Sequence, residues 1–141
     1  MPADIALKAM NAVHRTILAV TRNRVGWRAG GMPVLELTTT GRQSGQQRSV
    51  MLTSPIQEDG AWVIVASRGG DDRHPAWFLN LQANPRVSVR LEGGPARNMT
   101  ARIATGDERQ RLWSAVVEAF PHYGTYQNKT RREIPLVILG D

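Results

Sequence analysis

Between Val34 and Leu139 the chain is cut into short strand-forming runs, each closed by glycine, proline or an Asp-Gly pair. This punctuation limits the fold more than any other feature. The runs are Val34–Thr39, Gln47–Ile56, Ala61–Ser67, Arg86–Leu91, Ala96–Ala104 and Ile134–Leu139. Polar turns join most neighbours. Thr40 to Gln46 contains two glycines, Gln57-Glu58-Asp59-Gly60 carries the Asp-Gly hairpin signal, and Gly93-Gly94-Pro95 turns the chain again. Pro55 marks an edge or a bulge, because it brings no donor to a ladder. Arg86–Leu91 alternates strictly, with Val87, Val89 and Leu91 on one side. Runs joined by such short turns predict a mainly antiparallel sheet, and closing it into a barrel removes exposed edges.

Two helical periods interrupt the strands. Pro75–Ala83 begins with proline at its first turn and stops before Asn84-Pro85. The second helix runs from Thr105 to about Phe120. There Thr105 and Glu108 have capping-box spacing, and Pro121 ends the helix. Ahead of the strands, residues 3–22 read as an amphipathic helix. Ala6, Met10, Val13, Ile17 and Val20 form one stripe, and Lys8, Arg15 and Arg22 recur on another face. The expected organisation is residues 1–28 as that helix and a connector, then residues 29–141 as the barrel domain.

The net charge of +6 is nearly all arginine, and most of it lies in the first 28 residues, where Lys8, Arg15, Arg22, Arg24 and Arg28 face Asp4 alone. Arginine suits phosphate and carboxylate ligands, although a GC-rich genome gives the same bias. A nucleic-acid binder spreads its basic face more widely, so no nucleic-acid partner is expected. The basic, amphipathic N-terminal helix could touch an anionic membrane peripherally or cap one end of the barrel. The chain has no cysteine, which excludes disulfides, thiolate metal sites and a cysteine nucleophile. His14, His74 and His122 lack clustered carboxylates, so no metal site is predicted. With no apolar run that reads as a span or a secretory signal, a cytoplasmic location is expected.

Four segments could carry chemistry. Gly41-Arg42-Gln43-Ser44-Gly45 with Arg48 offers backbone N–H groups, a hydroxyl and two guanidiniums, which suits a phosphate cradle or, equally, a solvated hairpin turn. Ala66-Ser67-Arg68-Gly69-Gly70 lets a ligand approach the backbone, or is simply a flexible loop. His74 to Leu81 could hold a planar ring against Ala76 or Trp77, while Trp77 and Leu81 fit a core equally well. His74 has nothing near it in sequence to orient it as an acid or base. Phe120, Tyr123 and Tyr126, three apart, would share a helical face as a substrate wall or as packing.

Taken in order, these segments resemble the deazaflavin-dependent nitroreductase and quinone reductase family. The resemblance covers about residues 33–139. It rests on Thr38–Arg48 (TTTGRQSGQQR), Ala66–Gly70, His74-Pro75-Ala76-Trp77 with Asn80-Leu81, Asn84-Pro85, Pro121 with Tyr123 and Tyr126, and Ile134–Val137. It implies a split β-barrel of the FMN-binding type, with about six antiparallel strands and flanking helices. It implies coenzyme F-420, a deazaflavin with a phospholactyl and polyglutamate tail, which when reduced gives hydride to quinones, nitroaromatics or activated enones. By position, Arg42, Gln43, Ser44 and Arg48 would hold the phosphate. Arg48, Ser49, Val50, Met51, Leu52 and Thr53, with Val65, Ala66, Ser67 and Arg68, would line the cofactor groove. Ala76, Trp77, Phe78, Leu79 and Asn80 would flank the ring. Tyr123 and Tyr126, with Phe120, would cover the acceptor. Gln43 replaces a frequent cation, and Thr53 and Phe120 replace tyrosines of some nitro-reducing members. The alternatives on the same fold are FMN as cofactor and a non-catalytic carrier of F-420 or a tetrapyrrole. Monomer and homodimer stay open, as does the identity of the small-molecule acceptor.

Overall fold

The computed structural model describes residues 28–141. The expected N-terminal helix, with its membrane contact, lies outside these residues. Eight strands appear among the described residues: β1 (Arg28–Ala29), β2 (Met32–Thr40), β3 (Gln47–Thr53), β4 (Ile56–Glu58), β5 (Ala61–Val65), β6 (Arg86–Leu91), β7 (Ala96–Ile103) and β8 (Leu136–Gly140). A 3-10 turn at Arg68–Gly70 precedes helix α1 (Ala76–Ala83), and α2 (Gly106–Ala119) and α3 (His122–Asn128) follow β7. Every strand pair is antiparallel, as the short turns require.

The hydrogen-bonded order runs β3, β2, β6, β7, β8, β5, β4, with β1 against the start of β2. β3 and β4 therefore stand at opposite ends of the sheet, although only Ser54 and Pro55 separate them in sequence. The single strand expected over Gln47–Ile56 is thus two strands on two edges. Pro55 carries no N–H, so the ladder stops there and the chain crosses the gap. Ser54 seals the crossing. It is fully buried; its N–H donates to the Pro33 carbonyl at 2.9 Å, and its single hydroxyl proton goes to the Val63 carbonyl at 2.7 Å, with the Ile56 carbonyl also in reach at 3.1 Å. One residue thereby bonds β2's end of the sheet to β5's, and the barrel closes as a split barrel rather than through a continuous ladder.

Alternation divides the core in two. Leu35, Leu37, Ile64, Val87, Val89, Met99, Ala101, Val137 and Leu139 fill the barrel interior, with Phe78 and Leu81 of α1 packed against them. Val63, Val65, Leu136 and Ile138 point the other way, to Leu112 and Val116 of α2 and Tyr123 of α3. β5 and β8 are buried on both faces, which is why their sequences are almost wholly apolar. The Asp59-Gly60 hairpin forms as expected, both residues having positive φ.

Three local expectations need correction. Thr105 flanks α2 but makes no side-chain cap, because Glu108 is drawn to Arg102 of β7 by two charge-assisted bonds of 2.6 and 2.9 Å. Phe120 ends α2 with non-helical backbone, so only Tyr123 and Tyr126 lie within α3. Pro75 stands just ahead of α1 and its carbonyl accepts from Phe78 and Leu79.

Removing the Ser54 hydroxyl should loosen the closure. Ser54→Ala leaves the Val63 carbonyl short of its buried donor and is expected to cost about 1–3 kcal/mol. Thermal unfolding should show a midpoint several degrees lower; an unchanged midpoint would show that the seam does not depend on this hydroxyl.

Candidate functional site

The turn after β2 is held from two sides. Internally, Gly41 N–H donates to the Gln46 carbonyl, Gly45 N–H to the Gly41 carbonyl, and Gln46 N–H to Ser44 Oγ. A Cβ on Gly41 would lie 2.6 Å from Ser44 Oγ, so only glycine permits this tightness. Externally, Asn80 of α1 accepts from the Arg42 N–H at 3.2 Å and from Arg42 Nη1 at 2.8 Å, while its amide donates to Thr39 Oγ1. None of these bonds uses the N–H of Gln43 or Ser44, and most of the Arg42 guanidinium stays available. Asn80 itself is 4% exposed, so its side chain serves the turn and not a ligand.

Register then sorts the residues of β3. Arg48 sits opposite buried Thr39, Val50 opposite Leu37 and Leu52 opposite Leu35, so these three share the barrel-interior face with Asn80's partner Thr39. Arg48 is exposed, whereas Val50 and Leu52 are half-buried against the interior core, as are Trp77 and Leu79 of α1. Ser49, Met51 and Thr53 face the opposite side. Ser49 Oγ meets Thr38 Oγ1 at 2.7 Å, Met51 packs on Val34, and Thr53 Oγ1 meets Tyr123 Oη at 3.2 Å. One strand therefore contributes to two walls. Arg42, Arg48, Val50, Leu52, Trp77 and Leu79 lie on the first, and Thr53 and Tyr123 on the second. Among the other expected residues, Ala76, Gln43 and Ser44 are exposed. Val65, Ala66, Ser67 and Phe78 are buried, Ala66 completely.

The second wall is aromatic. Tyr123 is 5% exposed; its hydroxyl donates to Met32 Sδ at 3.5 Å and its oxygen can accept from Thr53. Burial pushes its pKa up, so it stays a neutral phenol at physiological pH. Tyr126 meets Tyr123 edge-on at 6.0 Å, and His122 lies 4.1 Å from Tyr123, centroid to centroid.

The loop between β5 and α1 joins the two walls. Arg68, Gly69 and Gly70 all have positive φ, and Arg68 pairs with Asp71 at 2.8 Å. Gly70 fits because a Cβ there would lie 2.8 Å from the Tyr126 carbonyl. The same loop is gripped by Arg132, a residue that sequence reading passed over. In the sequence Arg132 is one of two adjacent arginines ahead of Glu133, and nothing there separates it from exposed Arg131. Its Nε donates to the Asp71 carbonyl at 2.8 Å, and its two terminal nitrogens donate to the carbonyls of Ala66 and Ser67 and to His74 Nδ1.

An arginine can only donate, so His74 Nδ1 accepts and the ring is neutral with its proton on Nε2. Burial and then the Arg132 charge both lower the His74 pKa. The unfolded state therefore takes up this proton first as pH falls. The stability His74 contributes is present above its unfolded pKa of about 6.5 and is lost as pH drops through the lower folded value. Denaturant unfolding between pH 8 and 5 should show this slope in the wild type and a shallower one in His74→Asn. Equal slopes would show that His74 is not held neutral.

With this geometry in place, the comparisons with known proteins are specific. The family model described as F-420H(2)-dependent quinone reductase matches residues 11–141. An F-420H(2)-dependent quinone reductase of Mycobacterium tuberculosis is 41% identical over 132 residues, covering 90% of this chain and 87% of that protein. A solved F-420-H2-dependent reductase is 44% identical with a TM-score of 0.66, over 76% of this chain and 93% of its own. Another solved structure, described as a domain-swapped dimer, is 37% identical with a TM-score of 0.70, over 99% of both chains. A family match over almost the whole chain, and relatives that share both its sequence and its split barrel, establish that this chain belongs to the F-420H2-dependent quinone reductase family.

Proposed function

We propose that this protein is an enzyme that binds coenzyme F-420 along β3 and α1 and uses its reduced form to reduce a quinone. One observation carries the placement. The exposed cations Arg42 and Arg48 stand at one end of a face whose other end is the half-buried apolar surface of Val50 and Leu52, beside Trp77 and Leu79 of α1. No acidic residue occurs between Glu36 and Glu58, so this stretch suits an elongated ligand with an anionic tail and a flat apolar head. The donor set fits the cofactor. Arg42, Arg48, Ser44 Oγ and the N–H groups of Gln43 and Ser44 would take the phosphate. Arg68 is partly engaged by Asp71 and would add a weaker cation.

When bound, the reduced deazaflavin supplies a hydride at a ring carbon, so the protein needs no nucleophile of its own. What the chain supplies is position and a dry, neutral surface. Val50, Leu52 and Trp77 exclude water from the ring's side. Tyr126, half-buried, would wall the acceptor side and offer its hydroxyl, while Tyr123, buried with its hydroxyl on Met32 and Thr53 and kept neutral by burial, would hold that wall in place. Nitroaromatics and activated enones are further acceptors that such a surface admits. Thr53 and Phe120 put fewer hydroxyls there than tyrosines would, which favours quinones. The curated relative is named for F-420H(2)-dependent reduction, which supports neither FMN nor a non-catalytic carrier role. A homodimer is the assembly we infer, on the strength of the related domain-swapped dimer.

The decisive measurement is oxidation of F-420H2 against menadione, a nitroaromatic and an enone, with parallel titration of apo protein by F-420 and FMN. Turnover with the quinone and tighter F-420 binding are expected; tighter FMN binding would overturn the cofactor assignment. Arg48→Ala should weaken F-420 binding about ten- to a hundredfold, the loss expected for one charge-assisted bond. An unchanged dissociation constant would remove Arg48 from the site. Tyr123→Phe and Tyr123→Ala separate hydroxyl from ring: wild-type turnover in both would reduce Tyr123 to packing.

A further inference from the structure

We propose that Arg132 is a positioning residue of this reductase, fixing the 66–74 loop and, through it, the start of α1, the helix that together with β3 forms the proposed cofactor wall. The inference rests on the placement of the cofactor along β3 and α1. Its basis is the full use of one guanidinium. Arg132 has five N–H donors, and the structure shows five contacts. Nε reaches Asp71 O, Nη1 reaches Ala66 O and His74 Nδ1, and Nη2 reaches Ala66 O and Ser67 O. All of them fall on one loop, from a residue far along the chain. None goes to a carboxylate, so this is a device for shaping backbone and not a surface ion pair. Burial lowers its pKa on balance; the carboxylates of Asp71 and Asp72 favour its charge, while Arg68 opposes it.

The loop needs such a hold. Arg68 at φ +48° sits in a conformation that a residue with a Cβ rarely adopts, and Gly69 and Gly70 continue it. Strain of this kind persists only where surrounding contacts over-determine it. Gly70 already abuts the Tyr126 carbonyl of α3 and Lys129 just past its end, so the loop is packed against that helix. At its other end, His74 accepts from Arg132 and meets Phe78 at a tilt, 4.8 Å between ring centroids, and Pro75 leads into α1. Phe78 lies in the barrel core, two residues from Asn80, the residue that holds Arg42. The Arg132 side chain thus holds a loop that packs on α3 at Gly70 and leads into α1, the helix whose Asn80 holds the Arg42 turn.

The test uses the full-length protein with Arg132→Lys and Arg132→Met. F-420 affinity is read by fluorescence titration, folding by thermal unfolding, and the His74 tautomer by nitrogen NMR of histidine-labelled protein, assigned with His74→Asn. Lysine keeps the charge but cannot reach several carbonyls at once. Arg132→Lys should therefore fold, bind F-420 about tenfold or more weakly, and lose the fixed Nε2–H signature of His74. F-420 affinity within twofold of wild type in a folded Arg132→Lys protein would overturn the proposal, whatever the change in midpoint. If neither Arg132 variant folds, His74→Leu removes the acceptor and leaves the carbonyl contacts; it should weaken F-420 binding severalfold, and unchanged binding would overturn the proposal in the same way. Wild-type protein that fails to bind F-420, or Arg48→Ala that binds like wild type, would instead overturn the placement of the cofactor and leave the loop geometry untouched.

Discussion

The crossing at Ser54 and Pro55 sets the geometry of the whole molecule. Two strands adjacent in the chain end up on opposite edges of the sheet, so the sheet must curl until those edges meet. A proline cannot continue the ladder, and a serine is small enough to be buried while bonding both edges. Everything around the site follows from that curl. β3 is left as an edge strand with one face toward the barrel interior and the other toward α3. That is how a single seven-residue strand can carry Arg48 on one wall and Thr53 on the other.

Much of the fold was legible because its signals are local. Asp59-Gly60, Gly93-Gly94 and Asn84-Pro85 mark turns by backbone chemistry that tertiary context rarely reverses. The apolar run at the end of the chain reads as a strand, and in the fold β8 is buried on both faces, between the two cores. Less legible were features decided by competition across the fold. Glu108 had capping-box spacing, but Arg102 on the neighbouring strand offers it a stronger bidentate bond. The run Gln47–Ile56 had strand composition throughout, and only the sheet order reveals that it serves two edges. Phe120 kept the three-residue spacing of the tyrosines, yet the chain leaves the helix at that residue.

For the candidate site, sequence proposes segments more readily than individual side chains. A contiguous stretch such as Arg48–Thr53 cannot face one ligand along its whole length, since successive side chains point to opposite faces. The same holds for Ala76–Asn80, where Phe78 turns into the core and Asn80 is spent on Arg42 and Thr39. Arg132 had no motif to announce it. Its role depends on carbonyls about sixty residues earlier in the chain, which sequence spacing alone cannot bring together.

The distribution of titratable groups argues for the chemistry as firmly as the shape does. Enzymes that abstract or deliver protons through side chains place acids or bases with displaced pKa values in their clefts. Among the described residues, the carboxylates with displaced values are Glu58, held by the Arg111 guanidinium, Asp71, held first by the backbone N–H of Arg73 and then by the Arg68 charge, and Glu108, held by the Arg102 guanidinium. Glu58 and Glu108 make their pairs on the surface, and Asp71 is locked in the loop. The groups that border the proposed groove are instead fixed cations, hydroxyls, and a tyrosine and a histidine both held neutral. Such a surface can bind an anionic tail, hold two flat rings in contact and donate hydrogen bonds, without itself changing charge. Transfer of a hydride from a bound deazaflavin to a quinone asks for that kind of surface, because the redox chemistry belongs to the cofactor and the protein's part is to keep donor and acceptor close, oriented and dry.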